Sequence, residues 1–511
     1  MKKQSLIKGT MILGIATIFA RFLGLFFRIP IQNLIGDEGM GYYQMSYPLY
    51  MTFVALASGV PIAMSKLIAE FRAKNDGRSV EEVLNKTLKV MIATGIVVSI
   101  LMLYFGRNII EVLKWHSKSY YSFMVISLGP IFVCLMCTFK GYFQGLQNMN
   151  STAVCQVIEQ IGRVVFGVLF AYLLLPKGIE FAAAGAAFGT VAGGILGSIY
   201  LTIKYRRCKE HTVITTKQGN KNVVSNLLEA ALPISVGAAV GTIMSLIDSI
   251  IVPQRLVSSG FSLKESAILY GQFTGKAMTI QNIPLALSVA LCSALVPIIS
   301  EVYSVNNKNE LHRRIDMIFK LSFLIAIPSF LGLFYLAKPI MSLVFMGDAG
   351  GYDILKILSL TVPVIILTQT TTSLLQSCGR YMKPVYNLGI GCVFKVVITY
   401  FTVGIPEINI YGAIVGSIIG YLVTAGLNIK EVKKLFKVKI KLMDVFVKPL
   451  FISLIMIISV VFVYNNVYNY TMSNGISCLI AIFIGIVIFG ALALIFRVVT
   501  LEEVRGKLTK N

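Results

Sequence analysis

Charged residues are scarce in this sequence. Only 14% of the 511 residues are charged, whereas 56% are hydrophobic, and the mean hydropathy is +0.78. A soluble protein has roughly a quarter of its residues charged. Apolar runs of about 20 residues, long enough to cross a bilayer as a helix, recur from one end of the chain to the other. The sequence therefore excludes an ordinary soluble protein and predicts an all-α, polytopic membrane protein.

Catalytic and nucleotide-binding motifs are equally sparse. The three histidines, His116, His211 and His312, lie in separate polar segments and do not form one site by their spacing. No GxxxxGK[ST] motif is present, which excludes ATP hydrolysis by a P-loop. No A-x-A-like site follows the first apolar run, which is too long for a signal peptide and is expected to remain as a helix. These absences argue against an enzyme.

The eight cysteines form no disulfide framework. Cys134 and Cys137 make a CxxC, but it lies in the apolar segment FVCLMC with no nearby histidine and no second CxxC. Cys208 lies in a basic loop, and the remaining cysteines are in apolar segments: Cys155, Cys292, Cys378, Cys392 and Cys478. This pattern favours small packing residues, and no metal or other cofactor is predicted.

The net charge of +23 comes from short loops between the apolar runs. Alternate loops are basic, such as KEVKKLFKVKIK at 430–441, and the intervening ones are poor in lysine and arginine, such as GDEGMG at 36–41 and YNNVYNYTMSNG at 464–475. The positive-inside rule therefore predicts that both termini lie in the cytoplasm. Nucleic-acid binding is set aside, because no polar segment is long enough to fold as a separate basic domain.

The apolar runs predict fourteen membrane spans, arranged as two pseudo-symmetric six-helix lobes plus two extra helices. The spans are 6–34, 42–65, 87–106, 121–143, 152–175, 181–203, 227–251, 276–300, 317–337, 355–377, 384–404, 410–429, 445–464 and 475–496. The predicted domains are an N-terminal lobe (1–210), a cytoplasmic basic linker (211–226), a C-terminal lobe (227–434), and the last two spans with a cytoplasmic tail (435–511).

The two predicted lobes repeat each other. FQGLQNMNSTAVCQVIEQIGRVV at 143–165 aligns with LQSCGRYMKPVYNLGIGCVFKVV at 375–397, which pairs Arg163 with Lys395 at an offset of 232 residues. The sixth and twelfth spans carry glycine ladders, made of Gly185, Gly189, Gly193 and Gly197 and of Gly412, Gly416 and Gly420. This spacing favours close helix packing, and it is also compatible with helices that slide. Six spans per lobe give both copies the same orientation.

Two arginines lie inside the first predicted span, in TIFARFLGLFFRIPIQNLIG at 17–36. Arg28 is about two turns further out than Arg21 on the same helix face, roughly 10 Å away along the axis. An arginine at mid-bilayer costs about 3 kcal/mol on insertion scales, so such side chains usually face a cavity or the bundle interior. Arg28 has the alternative of extending outward to Asp37 or Glu38, whereas Arg21 is too deep for that.

Later spans add further charges. Glu159 and Arg163 stand four residues apart on the fifth span, which suits an ion pair. Lys395 has no acid three or four residues away, so it needs a partner from another helix, a wet cavity or an anionic ligand. Asp248, the only acid in the seventh span, is predicted to be either a counter-ion or a proton or sodium site. Three lysines near span ends are interpreted as interfacial snorkels: Lys66, Lys140 and Lys276.

Deep cations outnumber deep acids among these residues, and a cavity of that sign favours an anionic ligand. Its membrane location suggests an amphiphile, and planar guanidinium groups bind two phosphate oxygens at once. The predicted substrate-binding residues are Arg21, Arg28, Arg163 and Lys395, and the predicted counter-ion or coupling residues are Asp248 and Glu159. The aromatic residues of YYQMSYPLY at 42–50 are predicted to stack on sugars, and interfacial anchoring is the alternative for Tyr42 and Tyr43.

The opening of the chain also resembles a known family. IKGTMILGIATIFARFLGLFFRIPIQNLIGDEGMGYYQMSYPLY, followed by GVPIAMSKLIAE, is similar to the stage V sporulation protein B group, in the polysaccharide transporter branch of the multidrug/oligosaccharidyl-lipid/polysaccharide exporter superfamily, and to the MurJ-type lipid II flippases. The resemblance implies a V-shaped, alternating-access transporter in which Arg21, in RFLG, matches an essential cavity arginine. Arg28 is slightly displaced from the second such arginine. The second span lacks a mid-span arginine, for which Lys66 is a loose substitute.

The resulting prediction is a flippase in the cytoplasmic membrane. It would move an undecaprenyl-pyrophosphate-linked sugar, such as lipid II or a related cell-wall or polysaccharide precursor, as a monomer among membrane lipids. Its energy would come from an H+ or Na+ gradient, the membrane potential or removal of the product. The alternatives are a cation-coupled multidrug exporter of related architecture, which needs unpaired acids in its cavity, and a membrane-embedded transferase acting on lipid-linked sugars.

Overall fold

The computed structural model is predominantly helical in the residues that it describes, which are 6–74, 76–207, 223–304, 308–436, 443–496 and 498. No strand occurs within these ranges, so the predicted all-α class is confirmed. The helices are α1 (Leu6–Ala57), α2 (Gly59–Ala73), α3 (Gly77–Val112), α4 (Ser119–Ile126), α5 (Gly129–Gly145), α6 (Met149–Leu174), α7 (Ile179–Arg207), α8 (Val223–Ser258), α9 (Leu263–Gly271), α10 (Met278–Ser304), α11 (Lys308–Tyr335), α12 (Ala337–Val344), α13 (Tyr352–Leu358), α14 (Thr361–Ser377), α15 (Met382–Val403), α16 (Tyr411–Phe436), α17 (Lys448–Thr471) and α18 (Asn474–Ile495).

Many of these helices are suited to a bilayer. Within the described ranges, ten helical segments are long and apolar enough to cross a membrane, or eleven if the bent pair Tyr352–Leu358 and Thr361–Ser377 forms one span. The chain is therefore a multi-pass membrane protein. The number of fourteen spans stays a prediction.

The first predicted span and the second as far as Ala57 belong to one helix, α1, whose geometry is broken at Gly36, and the rest of the second span lies in α2. Gly36 has φ 65° and ψ −172°, a conformation that glycine adopts without steric cost. The chain is helical again immediately beyond Gly36. The segment 36–41, predicted to be an outer loop, is therefore a one-residue break followed by helix, because a single glycine suffices to redirect the chain.

The chain forms two compact units, Met1–Gly271 (unit 1) and Gln272–Asn511 (unit 2). Most of the predicted linker at 211–226 lies outside the described residues, which resume at 223. The predicted lobe boundaries stay a prediction.

In unit 1, the glycine ladder of α7 packs directly on the backbone of α6. A Cβ added at Gly189 would lie 2.5 Å from Gly167 Cα and 2.6 Å from the Arg163 carbonyl oxygen. A Cβ at Gly193 would collide with the Glu159 carbonyl oxygen. The ladder thus holds the stretch of α6 that carries Glu159 and Arg163 against a second helix, as small-residue faces do in membranes.

In unit 2, α16 packs on α15 in the same manner. A Cβ added at Gly416 would collide with the Thr399 hydroxyl and lie 3.2 Å from the Lys395 carbonyl oxygen. A Cβ added at Gly391 of α15 would collide with the Gly420 carbonyl oxygen of α16. The helix that carries Lys395 is therefore held against its neighbour in the same way as the helix that carries Arg163. This is in line with the predicted repeat.

Unit 2 also contains the last two helices. Met456 and Ile457 of α17 and Ala481 of α18 share a buried cluster with Ile327 and Leu331 of α11. Apolar side chains thus anchor the appended pair to α11.

Candidate functional site

Arg163 of α6 lies in an aromatic cage inside unit 1. Its guanidinium carbon is 4.8 Å from the centroid of the Phe27 ring and 4.9 Å from that of the Tyr47 ring. Its Nη2 donates a hydrogen bond to the Tyr43 hydroxyl at 2.9 Å. Cation–π contacts of this kind contribute about 0.5–2 kcal/mol each, depending on desolvation. The cage therefore stabilises a cation without cancelling its charge.

The cage belongs to a column of tyrosines on α1. Tyr43, Tyr47 and Tyr50 follow each other at helical spacing and share one face, with ring centroids 5.3 Å and 6.2 Å apart in sequence order. Phe27, on the other side of the break, meets Tyr43 edge-on at 6.1 Å. All four side chains are buried.

Tyr42 and Tyr43 were candidates for interfacial anchoring, and this interpretation is wrong. Both side chains are fully buried within the protein, whereas an anchor has to reach the lipid headgroups. The reason is that α1 is surrounded by other helices of unit 1 at this level, so its tyrosines face protein.

Arg28 lies next to the cage. It is partly buried, and its electrostatic neighbours are Tyr47, Tyr43 and Arg163. Glu38, one of the two acids proposed from the sequence as its outer partner, instead accepts a hydrogen bond from Tyr42 at 2.6 Å and pairs with Lys264 at 3.2 Å. Glu38 is thus paired with a lysine of α9.

Arg21 lies on α1, but its side chain is outside the described residues. Its substrate-binding role stays a prediction.

Glu159 does not form the ion pair predicted within α6. Its carboxylate pairs with Lys140 of α5 at 3.1 Å. Within the described ranges, no carboxylate lies at ion-pairing distance from Arg163. Lys140, interpreted from the sequence as an interfacial snorkel, is therefore a half-buried partner in the protein interior. Tertiary packing brings α5 closer to Glu159 than the next turn of its own helix.

Asp248 of α8 is buried, at 2% exposure, and is an electrostatic neighbour of Tyr270. The carbonyl oxygen of the next residue, Ser249, accepts a hydrogen bond from the indole of Trp115 at 2.9 Å. This part of unit 1 is tightly packed and polar. Whether Asp248 acts as a counter-ion or a coupling site stays a prediction.

In unit 2, Lys395 is 2% exposed on α15. Unit 2 also holds a pair that the sequence did not indicate. Lys276, 1% exposed, donates to Asp348 at 2.6 Å. Its interpretation as an interfacial snorkel is wrong, because its ammonium group is itself buried and pairs with the carboxylate of Asp348, whose side chain is largely exposed. The partners are 72 residues apart in the sequence, so residue spacing along a helix does not predict the pair.

The family model described as "Polysaccharide biosynthesis protein" matches residues 6–303. The chain belongs to this family. A second model, MatE, matches residues 274–401. The match to the polysaccharide biosynthesis family therefore includes residues 6–271 of unit 1, and with them the aromatic cage and the tyrosine column.

Two curated relatives come from Bacillus subtilis (strain 168). Stage V sporulation protein B is 28% identical over 99% of this chain and 98% of its own length. The lipid II flippase MurJ is 26% identical over 82% of this chain and 81% of its own length. The resemblance seen in the N-terminal sequence is thereby confirmed along nearly the full chain.

Solved structures show the same fold. The lipid II flippase MurJ, in an inward closed conformation, superposes with a TM-score of 0.71 at 17% identity, covering 95% of this chain and 98% of that one. An inward-facing multidrug resistance MATE family transporter gives 0.70 at 17% identity, covering 82% and 94%. The chain thus shares the fold of these two solved transporters.

Proposed function

We propose that this protein is a flippase that moves an anionic lipid-linked sugar across the cytoplasmic membrane by alternating access. The cargo class is an undecaprenyl-pyrophosphate-linked precursor, lipid II or a related glycan. The observation that carries the proposal is the pair of arginines in unit 1, Arg28 and Arg163, which are electrostatic neighbours at an aromatic cage. The names of the relatives, which include a lipid II flippase, agree with it.

The charge balance around the cage supports an anionic cargo. Glu159, the nearby acid, is engaged by Lys140, so its charge is compensated by a lysine and not by Arg163. Two guanidinium groups at one place repel each other, and a ligand with two negative oxygens relieves that repulsion. Guanidinium groups suit pyrophosphate because they donate two parallel hydrogen bonds.

The other residues predicted from the sequence would contribute to the same transport. Arg21 would extend the cationic surface along α1, and Lys395 would provide the equivalent charge in the second unit. Asp248 and Glu159 would serve as counter-ion or coupling sites. Both termini would lie in the cytoplasm, and the protein would work as a monomer. The membrane potential, about 2.3 kcal/mol per charge per 100 mV, is sufficient to drive a conformational step that moves a net charge.

The first test is complementation of a bacterial strain depleted of its own lipid II flippase. Wild-type protein is expected to restore growth, and Arg28→Gln and Arg21→Gln are expected to fail at equal membrane abundance. Lys177→Gln is the matched control, because Lys177 is an exposed lysine of unit 1 that follows α6. Growth with both arginine variants would reject the cationic site.

A second candidate function, cation-coupled drug export, is favoured by the MatE match over 274–401. It is tested with the same protein in proteoliposomes. Export of a lipophilic cationic dye under an imposed proton or sodium gradient, without movement of a fluorescent lipid II analogue, would favour the exporter. The opposite result supports the flippase.

A further inference from the structure

The half-buried side chain of His116 lies between α3 and α4 and packs against α1. Its imidazole contacts the ring of Tyr42, with the two ring centroids 4.9 Å apart. Tyr42 is fully buried and immediately precedes Tyr43, whose hydroxyl accepts the hydrogen bond from Arg163. His116 therefore contacts the residue next to the aromatic cage without belonging to the cage.

The imidazole also closes the turn that leads into α4. Its Nδ1 accepts a hydrogen bond from the backbone N–H of Lys118 at 3.2 Å, an arrangement that requires a neutral ring with its proton on Nε2. The side chain of Lys118 in turn pairs with Glu180 of α7 at 3.1 Å. The neutral ring of His116 thus connects Tyr42 of α1 with the turn whose lysine is paired to α7.

Two acids are electrostatic neighbours of the imidazole, and lysines engage both. Glu38 of α1 accepts a hydrogen bond from Tyr42 at 2.6 Å and pairs with Lys264 of α9 at 3.2 Å. Glu180 of α7 pairs with Lys118 of the turn. The groups that surround the imidazole from these elements are therefore two carboxylates, two ammonium groups and a phenol, which together carry no net charge. A proton on the imidazole meets no uncompensated acid among these groups.

Protonation of the imidazole is incompatible with this arrangement. A doubly protonated ring has no acceptor nitrogen, so the hydrogen bond from the Lys118 N–H is lost. The new charge also lies at the N-terminus of α4, where the helix dipole disfavours a cation. Partial burial holds the pKa of His116 below its ordinary value of 6.5. The two carboxylates act to raise this pKa, and the two ammonium groups act to lower it.

The stretch of α1 that carries Tyr42 is also held by α9. A Cβ added at Gly41 would collide with the Ala267 carbonyl oxygen, and one added at Gly271 would collide with the Asp37 carbonyl oxygen. The two helices are therefore in backbone contact immediately before Tyr42. The imidazole supports the same stretch of α1 at the Tyr42 ring.

We infer that His116 is a positioning residue for the aromatic cage: its neutral imidazole supports Tyr42, and its protonation withdraws that support and weakens binding of the anionic head group at Arg163. This inference rests on the proposed function and adds its regulation by pH. Because His116 lies outside the cationic site, its replacement leaves every proposed ligand of the head group in place.

The test is binding of undecaprenyl pyrophosphate to the full-length protein in lipid nanodiscs from about pH 7.5 to about pH 5, where histidine titrates, with undecaprenol as the uncharged control. His116→Asn is the central variant, because an asparagine side chain accepts a hydrogen bond from the backbone N–H two residues on and takes up no proton. Comparing the two proteins at each pH cancels the titration of the ligand. Wild type is expected to match His116→Asn at neutral pH and to bind about fivefold more weakly at acidic pH, the equivalent of one hydrogen bond.

His116→Lys places a permanent cation without an acceptor nitrogen at the same position. It is expected to bind about fivefold more weakly than wild type at neutral pH and to lose no more affinity than His116→Asn on acidification. His312→Asn, on α11 in unit 2, is the matched control for the loss of a histidine and is expected to keep the wild-type pH dependence. An affinity of His116→Lys equal to that of wild type at neutral pH would overturn the inference.

Thermal unfolding shows the titration of His116 independently of binding. Because the unfolded chain takes up this proton more readily than the folded protein, the unfolding temperature of wild type relative to His116→Asn is expected to fall as the pH drops below about 6.5. A difference that stays constant down to about pH 5 would exclude protonation of His116 as the cause.

Failure of the proposed function gives a different result. If wild-type protein binds undecaprenyl pyrophosphate no better than undecaprenol at any pH, the anionic cargo is rejected, and the positioning role with it. If wild type discriminates between the two lipids but its affinity relative to His116→Asn does not change with pH, only the positioning role is rejected.

Discussion

The carboxylate of Glu159 lies 3.1 Å from the ammonium of Lys140 on the neighbouring helix, although Arg163 stands one turn away on its own helix. Glu159 thereby closes a contact between α5 and α6, whereas Arg163 is directed to the rings of α1. Glu159 and Arg163 therefore have different partners, which lie on different helices. The positive charge at the cage remains available to attract an anion.

We expect Glu159→Gln to lower the free energy of unfolding by about 1–2 kcal/mol. Breaking a fully buried pair costs about 3–5 kcal/mol, but here the side chains of Lys140 and Glu159 keep 16% and 26% of their exposure, and water screens part of the effect. Unfolding is followed with a thiol-reactive dye, because free cysteines such as Cys134, Cys137 and Cys155 are buried in the fold.

The control for this change is the double variant Glu159→Gln with Lys140→Met. It removes both charges, so most of the lost stability is expected to return. Glu70→Gln, in an exposed pair with Lys66 on α2, is expected to cost less than 1 kcal/mol. A double variant as unstable as Glu159→Gln would contradict the assignment of Lys140 as the partner.

The pair Lys276–Asp348 is expected to respond asymmetrically to mutation. Asp348→Asn removes the carboxylate from a buried ammonium, whereas Lys276→Met replaces that ammonium with an apolar chain of similar length. The first change is expected to lower the unfolding temperature more than the second, because an uncompensated buried charge is costlier than an exposed acid without a partner. Asp353→Asn serves as the control. Equal losses at both positions would contradict this account.

The same pair predicts a pH dependence. Partial burial acts to raise the pKa of Asp348, but the hydrogen bonds from Lys276 and from the Gly350 N–H outweigh it, so the pKa lies below the ordinary value of 3.8. The stabilisation is thus complete above the unfolded pKa and is lost as the pH falls through the folded one. The stability difference between wild type and Asp348→Asn is expected to be constant from neutral pH down to about 5 and to shrink below 4. A difference that shrinks near pH 6 would exclude Asp348 as the titrating group.

Helices could be predicted from this sequence because apolar length and hydropathy act locally. The tyrosine column could be predicted too, because positions 43, 47 and 50 share a helix face. The cation at that column could not be predicted, because Arg163 lies 120 residues from Tyr43 in the sequence. For the same reason the sequence assigned Glu159 to its helical neighbour, when packing of α5 on α6 supplied Lys140. Partners of buried charges depend on helix order and rotation, which short-range patterns do not contain.

The last prediction concerns the support beneath the cage. Gly189→Ala is expected to destabilise the protein, because the new methyl group would lie 2.5 Å from Gly167 Cα and 2.6 Å from the Arg163 carbonyl oxygen, and neither backbone atom can move away without separating α7 from α6. Gly490→Ala, in α18, is the matched control: nothing lies within 4 Å of its added Cβ, and alanine is the better helix former by about 1 kcal/mol. The unfolding temperature is therefore expected to fall for Gly189→Ala and to hold or rise for Gly490→Ala. If helix separation also moves Arg163 out of its cage, Gly189→Ala weakens binding of undecaprenyl pyrophosphate while Gly490→Ala leaves it unchanged. Equal unfolding temperatures for the two variants would mean that α6 and α7 are not held by this ladder.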